Sequence, residues 1–263
     1  MSDSTMTNTM LRKNDLKLKI AVYVVSIAIV LLILLPFVLM MAENVLHPET
    51  YTMDSTGKLT KIVYNNVSVI NSFKNSMLVT VGATFLNVYF SSLTAYAITA
   101  YEWKLKTVFS NLITAFMMLP NTIALIGFYQ LTWKFHLINT LMMLILPAVA
   151  TPLTVFFMRM YLQATFSMSI VESGRLDGAS EFRIFNQIVL PMLKPAMATQ
   201  IIFAFVSNWY NTFVPSIILI DDKAKTLALT PSPEWLLVLP PIIVYLICSR
   251  FIVEGVALGS VKT

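Results

Sequence analysis

Residues 172–182 read Glu-Ser-Gly-Arg-Leu-Asp-Gly-Ala-Ser-Glu-Phe, and Ile188-Val-Leu-Pro191 and Pro195 follow. This stretch is a polar island between two long apolar segments, residues 141–158 and 196–220. A helix needs roughly 20 apolar residues to cross a hydrocarbon core of about 30 Å. We therefore expect the island to be a loop that joins two membrane-spanning helices.

The whole chain has the composition of an integral membrane protein. Of its 263 residues 57% are hydrophobic and 12% are charged, whereas charged residues make up about 25% of an ordinary soluble domain. Apolar runs long enough to span a bilayer cover residues 20–42, 77–97, 109–131, 141–158, 196–220 and 235–251. The runs are continuous rather than alternating, which favours helices over a β-barrel. We predict an all-α, polytopic membrane protein with six transmembrane helices.

The basic residues predict the orientation, because lysine and arginine are enriched in cytoplasmic loops. With the N-terminus inside, twelve of the 18 basic residues are cytoplasmic. These are Arg12, Lys13, Lys17, Lys19, Lys104, Lys106, Arg159, Arg175, Arg183, Lys194, Arg250 and Lys262. The prediction is a cytoplasmic tail over residues 1–19 and a single transmembrane domain over residues 20–263, with a cytoplasmic loop at about 159–195 and a short cytoplasmic C-terminal tail. This bias accounts for the net charge of +5, so nucleic-acid binding is not expected.

Few residues could carry chemistry of their own. The two histidines, His47 and His136, are not spaced with Cys, Asp or Glu as metal ligands would be, and Cys248 is the sole cysteine. No Gly-x-x-x-x-Gly-Lys-Ser/Thr phosphate-binding sequence occurs. We predict no catalytic residue, no metal and no cofactor in this chain, so any use of ATP requires another polypeptide.

The predicted spans contain essentially no ionisable side chains, which would mark proton or ion pathways. Their polar residues are neutral amides, which can bond across helices or to a neutral polar solute. The amides are Asn87, Asn111, Asn121, Gln130, Gln200, Asn208 and Asn211. This pattern argues against an ion-coupled carrier.

The polar island itself has a helical pattern with interruptions. Residues 170–172 are helical in character, Gly174 and Gly178 interrupt the pattern, and Phe182, Phe185 and residues 188–189 recur at helical spacing. Two short helices with a bend are predicted, and the second has an apolar stripe. The stripe could pack on a partner protein or lie on the inner leaflet of the membrane.

The island resembles the EAA loop of ABC importer permeases. Glu172, Asp177, Gly178 and Ala179 match the motif of that loop, while Ser173 and Gly174 replace its usual two alanines. In this family the loop forms a short coupling helix that sits in a cleft of the ATPase subunit. The resemblance therefore implies coupling to a separate ATPase through residues 170–195, which contain an ATPase-coupling set. Its members are Glu172, Asp177, Gly178, Ala179, Ser180 and Phe182. Gly174 is expected to loosen the helix by about 1 kcal/mol relative to alanine.

The resemblance covers most of the chain and is closest to the sugar-importing branch, the class of the inner maltose permease subunit. The matching elements are Leu119-Pro120, Leu137-Ile-Asn139-Thr140, Trp209-Tyr210-Asn211-Thr212-Phe213 and the ending Arg250-Phe251-Ile-Val253-Glu254-Gly255. Asn71-Ser72 or Asn75-Ser76 resembles the Asn-Ser pair that opens the second span of the family, and Asn75-Ser76 has the better distance to Ala95-Tyr96-Ala97. Between residues 227 and 239 the family has a longer outer loop, so either this member is shortened or the sequence omits residues.

Several expectations follow from the resemblance. The fold would be that of an ABC type I importer permease working by alternating access. The partners would be a second permease subunit in a heterodimer, two ATPase subunits that hold ATP and Mg, and an extracellular solute-binding protein. The chain would be a multi-pass protein of a bacterial or archaeal plasma membrane. It would import a carbohydrate, and we expect this carbohydrate to be an oligosaccharide.

A substrate path is expected in the fifth span. A polyhydroxyl solute needs amide and hydroxyl partners with an aromatic face, and Asn208, Trp209, Tyr210 and Asn211 supply them within one helical turn. The same residue types also pack helices together. Two other functions stay open: an importer of glycerol phosphate or another solute of this superfamily, and a membrane sensor or scaffold subunit that moves no solute.

Overall fold

The computed structural model describes residues 3–46, 51–53, 59–61 and 66–260. His47, Lys58 and Lys262 lie outside the described residues. By its internal contacts the chain divides into two units, Met1–Val63 and Tyr64–Thr263, and each is described by itself.

The first unit is a long helix followed by a small hairpin. Helix α1 (Asp3–Leu46) begins inside the predicted tail and carries the first apolar span, Leu18–Pro36, whose side chains are exposed. Strands β1 (Tyr51–Met53) and β2 (Leu59–Lys61) pair antiparallel, with Tyr51 opposite Lys61. The sequence did not predict this hairpin, because three-residue strands are too short to give a periodic signal.

The described residues of the second unit form helices joined by turns and short loops. Its helices are α2 (Asn66–Ala100), α3 (Lys106–Met118), α4 (Asn121–Lys134), α5 (Met142–Ile145), α6 (Pro152–Thr165), α7 (Met168–Leu176), α8 (Glu181–Ile184), α9 (Leu190–Met192), α10 (Lys194–Trp209), α11 (Phe213–Ile218) and α12 (Glu234–Ser260). Short 3-10 turns cover Leu146–Ala148 and Leu227–Leu229, and a π-helical turn covers Phe185–Val189.

Helices α2, α6, α10 and α12 form the body of this unit. Helix α10 packs on α12 and on α2, and α2 also packs on α6. The largest buried cluster includes Tyr96, Met158 and Phe185, and a second cluster surrounds Phe205 and Trp209. The first cluster joins the 166–193 loop to the end of α2, and this contact positions the candidate site described below.

Five of the predicted spans correspond to apolar helical segments in the described part of the chain. These segments are Leu18–Pro36, Ser68–Ala100, Met142–Thr165, Lys194–Ile218 and Glu234–Ile252. The last of these segments, Glu234–Ile252, corresponds to the sixth predicted span. It lies in a continuous helix despite Pro240 and Pro241, and it is longer than predicted.

The predicted third span is not one straight helix. Helix α3 ends at Met118, and the segments Lys106–Met118 and Ile123–Lys134 are bent by 99°. Leu119 between them is extended, with φ −76° and ψ 132°. Pro120 is the reason, because a proline disfavours the helical conformation of the residue before it. The pair is therefore a broken span or a re-entrant segment.

The predicted fourth span ended too early. Helix α6 continues to Thr165, so Arg159 lies inside an apolar helical segment, contrary to the expectation that the spans are essentially free of ionisable groups. Its guanidinium donates a hydrogen bond to Ser110 Oγ on α3. Buried or half-buried charges need such polar partners.

Candidate functional site

A cavity of about 790 Å³ lies within the second unit, between α2, α4, α6 and α10. Its volume falls in the range of about 300–1,000 Å³ that is usual for small-molecule sites. No Asp, Glu, Lys, Arg or His of the described chain lines it. The cavity is therefore suited to an uncharged occupant.

Amides and hydroxyls form the polar part of the cavity wall. Gln200 on α10 is 7% exposed and has no hydrogen-bond partner among the described residues. The hydroxyls of Thr80 and Thr226 are also buried without a partner. Because a buried polar group costs about 1–3 kcal/mol when it is unsatisfied, these groups are natural partners for a polar solute.

Asn87 is the best-held amide of the wall. Its Oδ1 accepts hydrogen bonds from Thr151 Oγ1 at 2.9 Å, from Thr151 N at 3.3 Å and from Ser91 Oγ at 3.0 Å. The bonds to Thr151 join α2 to the start of α6. They leave the amide nitrogen of Asn87 without a described partner at the cavity.

The predicted substrate-path residues separate into two pairs. Asn208 and Asn211 line the cavity. Asn208 donates to Ala204 O at 2.8 Å, which leaves its carbonyl oxygen free to accept. Asn211 accepts from Val214 N at 3.3 Å, which leaves its amide nitrogen free to donate. Phe116, Phe128 and Phe203 provide apolar ring surface in the same wall.

Trp209 and Tyr210 are not in the cavity wall. Trp209 is 1% exposed, stacks on Phe205 and donates through Nε1 to Leu237 O at 2.8 Å. Tyr210 donates to the same oxygen at 3.0 Å. In an α-helix Leu237 O would accept from residue 241, but Pro241 has no N–H. The two side chains thus satisfy a carbonyl of α12 that Pro241 leaves free.

At the opposite end of α2 from Tyr96, polar side chains hold the 219–230 segment. Asn75 donates to Lys223 O and to Lys225 O, both at 3.0 Å. Ser76 accepts from Leu227 N at 2.8 Å. The resemblance treated Asn75 and Ser76 as the opening of the second span, but α2 already begins at Asn66. Their observed role is to fix the segment that leads into α12.

In the 166–193 loop, α7 ends in a turn built on Gly178. Gly178 has φ +75°, a conformation in which a side chain is strained. Its N–H donates to Arg175 O and the N–H of Ala179 donates to Gly174 O, each at 3.0 Å. This pair of bonds is the Schellman motif, which ends many helices at a glycine. The predicted bend between two short helices is confirmed at Gly178.

Gly174, in contrast, does not interrupt the helix. It lies inside α7, and a Cβ at this position would be 3.3 Å from Ile184 Cγ1 and 3.5 Å from Ile188 Cδ1. Its missing side chain therefore lets α7 approach the chain that follows the turn. Gly174 is thus expected to loosen α7, but it also allows close packing against Ile184 that an alanine at this position would disturb.

The coupling residues predicted from the motif lie together around this turn. Glu172, Asp177, Gly178 and Ser180 are exposed, and Ala179 is partly buried. Ser180 is the N-cap of α8, and its Oγ accepts from Arg183 N at 3.4 Å. Phe182 is 68% exposed and Leu176 is 89% exposed. Sequence reasoning missed Leu176, although an apolar residue beside the motif's aspartate was a usable signal.

Glu181 is the electrostatic centre of the loop. Its carboxylate accepts from Arg175 Nε at 2.6 Å, from the Tyr101 hydroxyl at 2.5 Å and from the Tyr96 hydroxyl at 3.3 Å. The hydrogen bond from Arg175, supported by that from Tyr101, holds the pKa of the Glu181 carboxyl below its ordinary value of 4.5. Burial, and then the hydrogen bond to Glu181, raise the pKa of Tyr101. The sequence motif gave no indication of this cluster.

The profile of the family described as "Binding-protein-dependent transport system inner membrane component" matches residues 66–253. The chain belongs to this family. It is a permease subunit and not an enzyme, and the resemblance inferred from the 172–182 stretch is confirmed.

Three named bacterial relatives of this permease are themselves permease proteins. The chain is 31% identical over 205 residues to the arabinooligosaccharides transport system permease protein AraQ of Bacillus subtilis, covering 72% of this chain and 73% of the relative. It is 29% identical to the melibiose/raffinose/stachyose import permease protein MelC of B. subtilis, with 76% and 78% covered. It is 25% identical to the sn-glycerol-3-phosphate transport system permease protein UgpE of Rhizobium meliloti, with 79% and 78% covered.

The fold of the permease is similar to that of a solved transporter chain. That chain belongs to a bacterial ABC transporter involved in the import of the acidic polysaccharide alginate. The TM-score is 0.61 over 98% of both chains, at 20% sequence identity. The likeness supports the polytopic type I permease fold.

Proposed function

We propose that this permease lines the import path of a neutral carbohydrate, an oligosaccharide in the first instance, and that a separate ATPase drives it through the 166–193 loop. The observation that carries the proposal is the cavity lined by amides, hydroxyls and phenylalanine rings without an ionisable side chain among the described residues. Relatives named for arabino-oligosaccharides and for melibiose, raffinose and stachyose support the solute class.

The cavity favours a sugar over glycerol phosphate. A phosphate group needs cationic or backbone N–H partners, since an uncompensated charge in a low-dielectric site costs several kcal/mol. A sugar hydroxyl can instead donate to Asn208 Oδ1 and accept from the amide nitrogens of Asn87 or Asn211. The phenylalanine rings suit the apolar face of a sugar ring. Asn208 and Asn211 remain the proposed substrate-path residues of span five, whereas Trp209 and Tyr210 support α12.

The loop is proposed to dock on the ATPase. Leu176 and Phe182 expose apolar surface beside the turn at Gly178, and exposed apolar groups of this kind mark interaction sites. Glu172, Asp177 and Ser180 supply polar groups around them. A sensor or scaffold subunit that moves no solute would need no polar cavity. The cavity therefore supports the transport role over the sensor or scaffold role.

The remaining parts of the assembly come from family membership. We propose a complex of this chain with a second permease subunit, two ATPase subunits that hold ATP and Mg, and an extracellular solute-binding protein. Both termini are cytoplasmic in this arrangement, and residues 20–263 act as one transmembrane domain. ATP-driven closure of the ATPase pair would move the two loops together and open the cavity to the outside.

The test is solute-stimulated ATP hydrolysis in lipid nanodiscs, together with sugar uptake into proteoliposomes. The complete complex is assayed with a binding protein loaded from a panel of arabino-oligosaccharides, melibiose, raffinose, lactose and sn-glycerol 3-phosphate. We expect stimulation by a neutral sugar. Gln200→Leu should weaken sugar uptake on the order of tenfold, because it removes a cavity amide worth about 1–1.5 kcal/mol.

Gln130→Leu is the matched control, because Gln130 is an exposed amide of α4 outside the cavity. Uptake by this variant should equal that of the wild type. Stimulation by glycerol phosphate alone, or equal uptake by the Gln130 and Gln200 variants, would contradict the proposal.

A further inference from the structure

The Glu181 carboxylate, at the start of α8, joins that helix to α7 and to the end of α2. Arg175 comes from the last turn of α7, Tyr96 from the last turns of α2, and Tyr101 from the residue that follows α2. The Arg175 guanidinium also lies over the Tyr101 ring, 5.4 Å from its centroid. The four side chains, Glu181, Arg175, Tyr96 and Tyr101, are called the Glu181 cluster below.

The cluster faces a helix that also builds the cavity. Tyr96 is 2% exposed and is fixed by aromatic contacts with Phe166 and Phe185. About two and a half turns earlier, α2 contributes Asn87 to the cavity wall. With a rise of 1.5 Å per residue, Asn87 and Tyr96 are about 14 Å apart along one helix. A displacement at Tyr96 is therefore carried to the cavity by a rigid element.

A carboxylate suits the centre of the cluster, because Arg175 donates to one of its oxygens and both tyrosines donate to the other. A glutamine has no charge to pair with Arg175, and its NH2 group would force both tyrosine hydroxyls to turn from donating to accepting. Short charge-assisted bonds are also stronger and more directional than the aromatic contacts beside them. Glu181 thus sets the distance and angle between the exposed turn and α2.

We propose that Glu181 is the positioning residue that transmits movement of the 166–193 loop to α2, so that ATP hydrolysis on the partner is coupled to opening of the cavity. The inference rests on the proposed function of the loop. Glu181 is not part of the cavity wall. It lies next to the exposed docking residues in the sequence, but it is itself only partly exposed. Its loss should therefore leave the ATPase bound and spare hydrolysis while uncoupling it from transport.

The experiment measures coupling and assembly together in proteoliposomes that contain the complete complex. The first readout is the ratio of sugar accumulated to phosphate released, with the sugar that gives the highest uptake in the panel above. The second readout needs no sugar: it is the change in hydrogen exchange of residues 76–87 when ATP and orthovanadate are added. The amount of ATPase that co-purifies is measured for every variant.

Glu181→Gln should lower the sugar-to-phosphate ratio by about fivefold, as expected for loss of a coupled contact, and should abolish the vanadate-induced change in residues 76–87. Tyr101→Phe is a milder variant that keeps Arg175 and Glu181 paired, and it should lower the ratio less. The double variant should be no worse than Glu181→Gln alone. Glu102→Gln is the matched control, since Glu102 is an exposed carboxylate that pairs with Lys106 and not with the Glu181 cluster, and it should behave as wild type.

The outcomes separate this inference from the proposed function. If wild-type complexes accumulate no sugar, the proposed function fails, and the exchange readout still tests Glu181. A wild-type ratio in both Glu181→Gln and Tyr101→Phe overturns the inference. Loss of the ATPase from the Glu181→Gln complex also overturns it, because the residue would then serve docking rather than transmission.

Discussion

Substitution of Gly178 tests the conformation of the turn that ends α7. A left-handed conformation costs an L-residue roughly 1–2 kcal/mol, and Gly178 has φ +75°. Alanine recovers about 0.4–1 kcal/mol by restricting the unfolded chain. The net expectation for Gly178→Ala is a loss of about 1 kcal/mol in the local stability of the turn, which is about a fivefold increase in its open population.

Hydrogen exchange of the loop is a direct assay for this loss. The N–H of Ala179 is bound to Gly174 O at 3.0 Å, so its exchange reports opening of the turn. In lipid nanodiscs, exchange of a peptide covering residues 170–182 should be about fivefold faster in Gly178→Ala. Gly178→Asn should show a smaller increase, because asparagine tolerates the left-handed region.

Gly82→Ala is the matched control for the chemical change. Gly82 lies inside α2, and an added Cβ would meet Ile145 at an ordinary distance of 3.5 Å. Alanine is preferred to glycine in a helix interior by about 1 kcal/mol, so this variant should be stabilised or unchanged. Equal exchange in wild type and Gly178→Ala, or faster exchange in Gly178→Asn than in Gly178→Ala, would refute the reasoning.

Three further predictions concern polar contacts elsewhere in the second unit. Trp209→Phe should lower the free energy of unfolding, measured by thermal denaturation in detergent, by about 1 kcal/mol. Adding Tyr210→Phe should lower it further, because neither side chain then donates to Leu237 O. A double variant as stable as the wild type would contradict this. Asn139 has φ +62° and accepts from Ile220 N at 2.6 Å, so Asn139→Ala should expose the 219–226 segment to limited proteolysis more than Asn139→Gly does. The hydrogen bond from Arg175 lowers the pKa of Glu181 below 4.5. The contribution of the Glu181 carboxylate to stability is therefore complete at neutral pH and is lost as the pH falls below 4.5 through the folded-state pKa. The difference in thermal midpoint between wild type and Glu181→Gln should vanish at that low pH.

Local signals in the sequence predicted the parts of the structure that depend on local physics. Continuous apolar runs located five helical segments because the length of a span is set by the bilayer. The bend at Gly178 was predictable because a glycine that follows a helical turn commonly adopts the left-handed conformation. The break at Leu119-Pro120 was available from the same kind of signal, but the apolar run through it was continuous and favoured a single span.

Contacts between distant segments could not be predicted in the same way. Trp209 and Tyr210 matched a substrate path by residue type, and they bind a carbonyl 27 or 28 residues away that Pro241 leaves free. Glu181 meets Tyr96 and Tyr101, which precede it by 85 and 80 residues. The periodicity of a sequence does not tell which helices pack against each other. The chemical character of these side chains could therefore be predicted from the sequence, but their partners could not.

On the proposed coupling, α2 links the loop to the cavity wall through contacts at two positions, Tyr96 and Asn87. Near Tyr96 the helix is held by directional bonds to Glu181 and by the ring of Phe185. Near Asn87 it is bonded to Thr151 at the start of α6. Apolar contacts alone allow sliding, whereas hydrogen bonds with fixed geometry do not. On the proposed transmission through Glu181, movement of α2 would strain the Asn87 bonds to Thr151 and so shift that amide in the cavity wall.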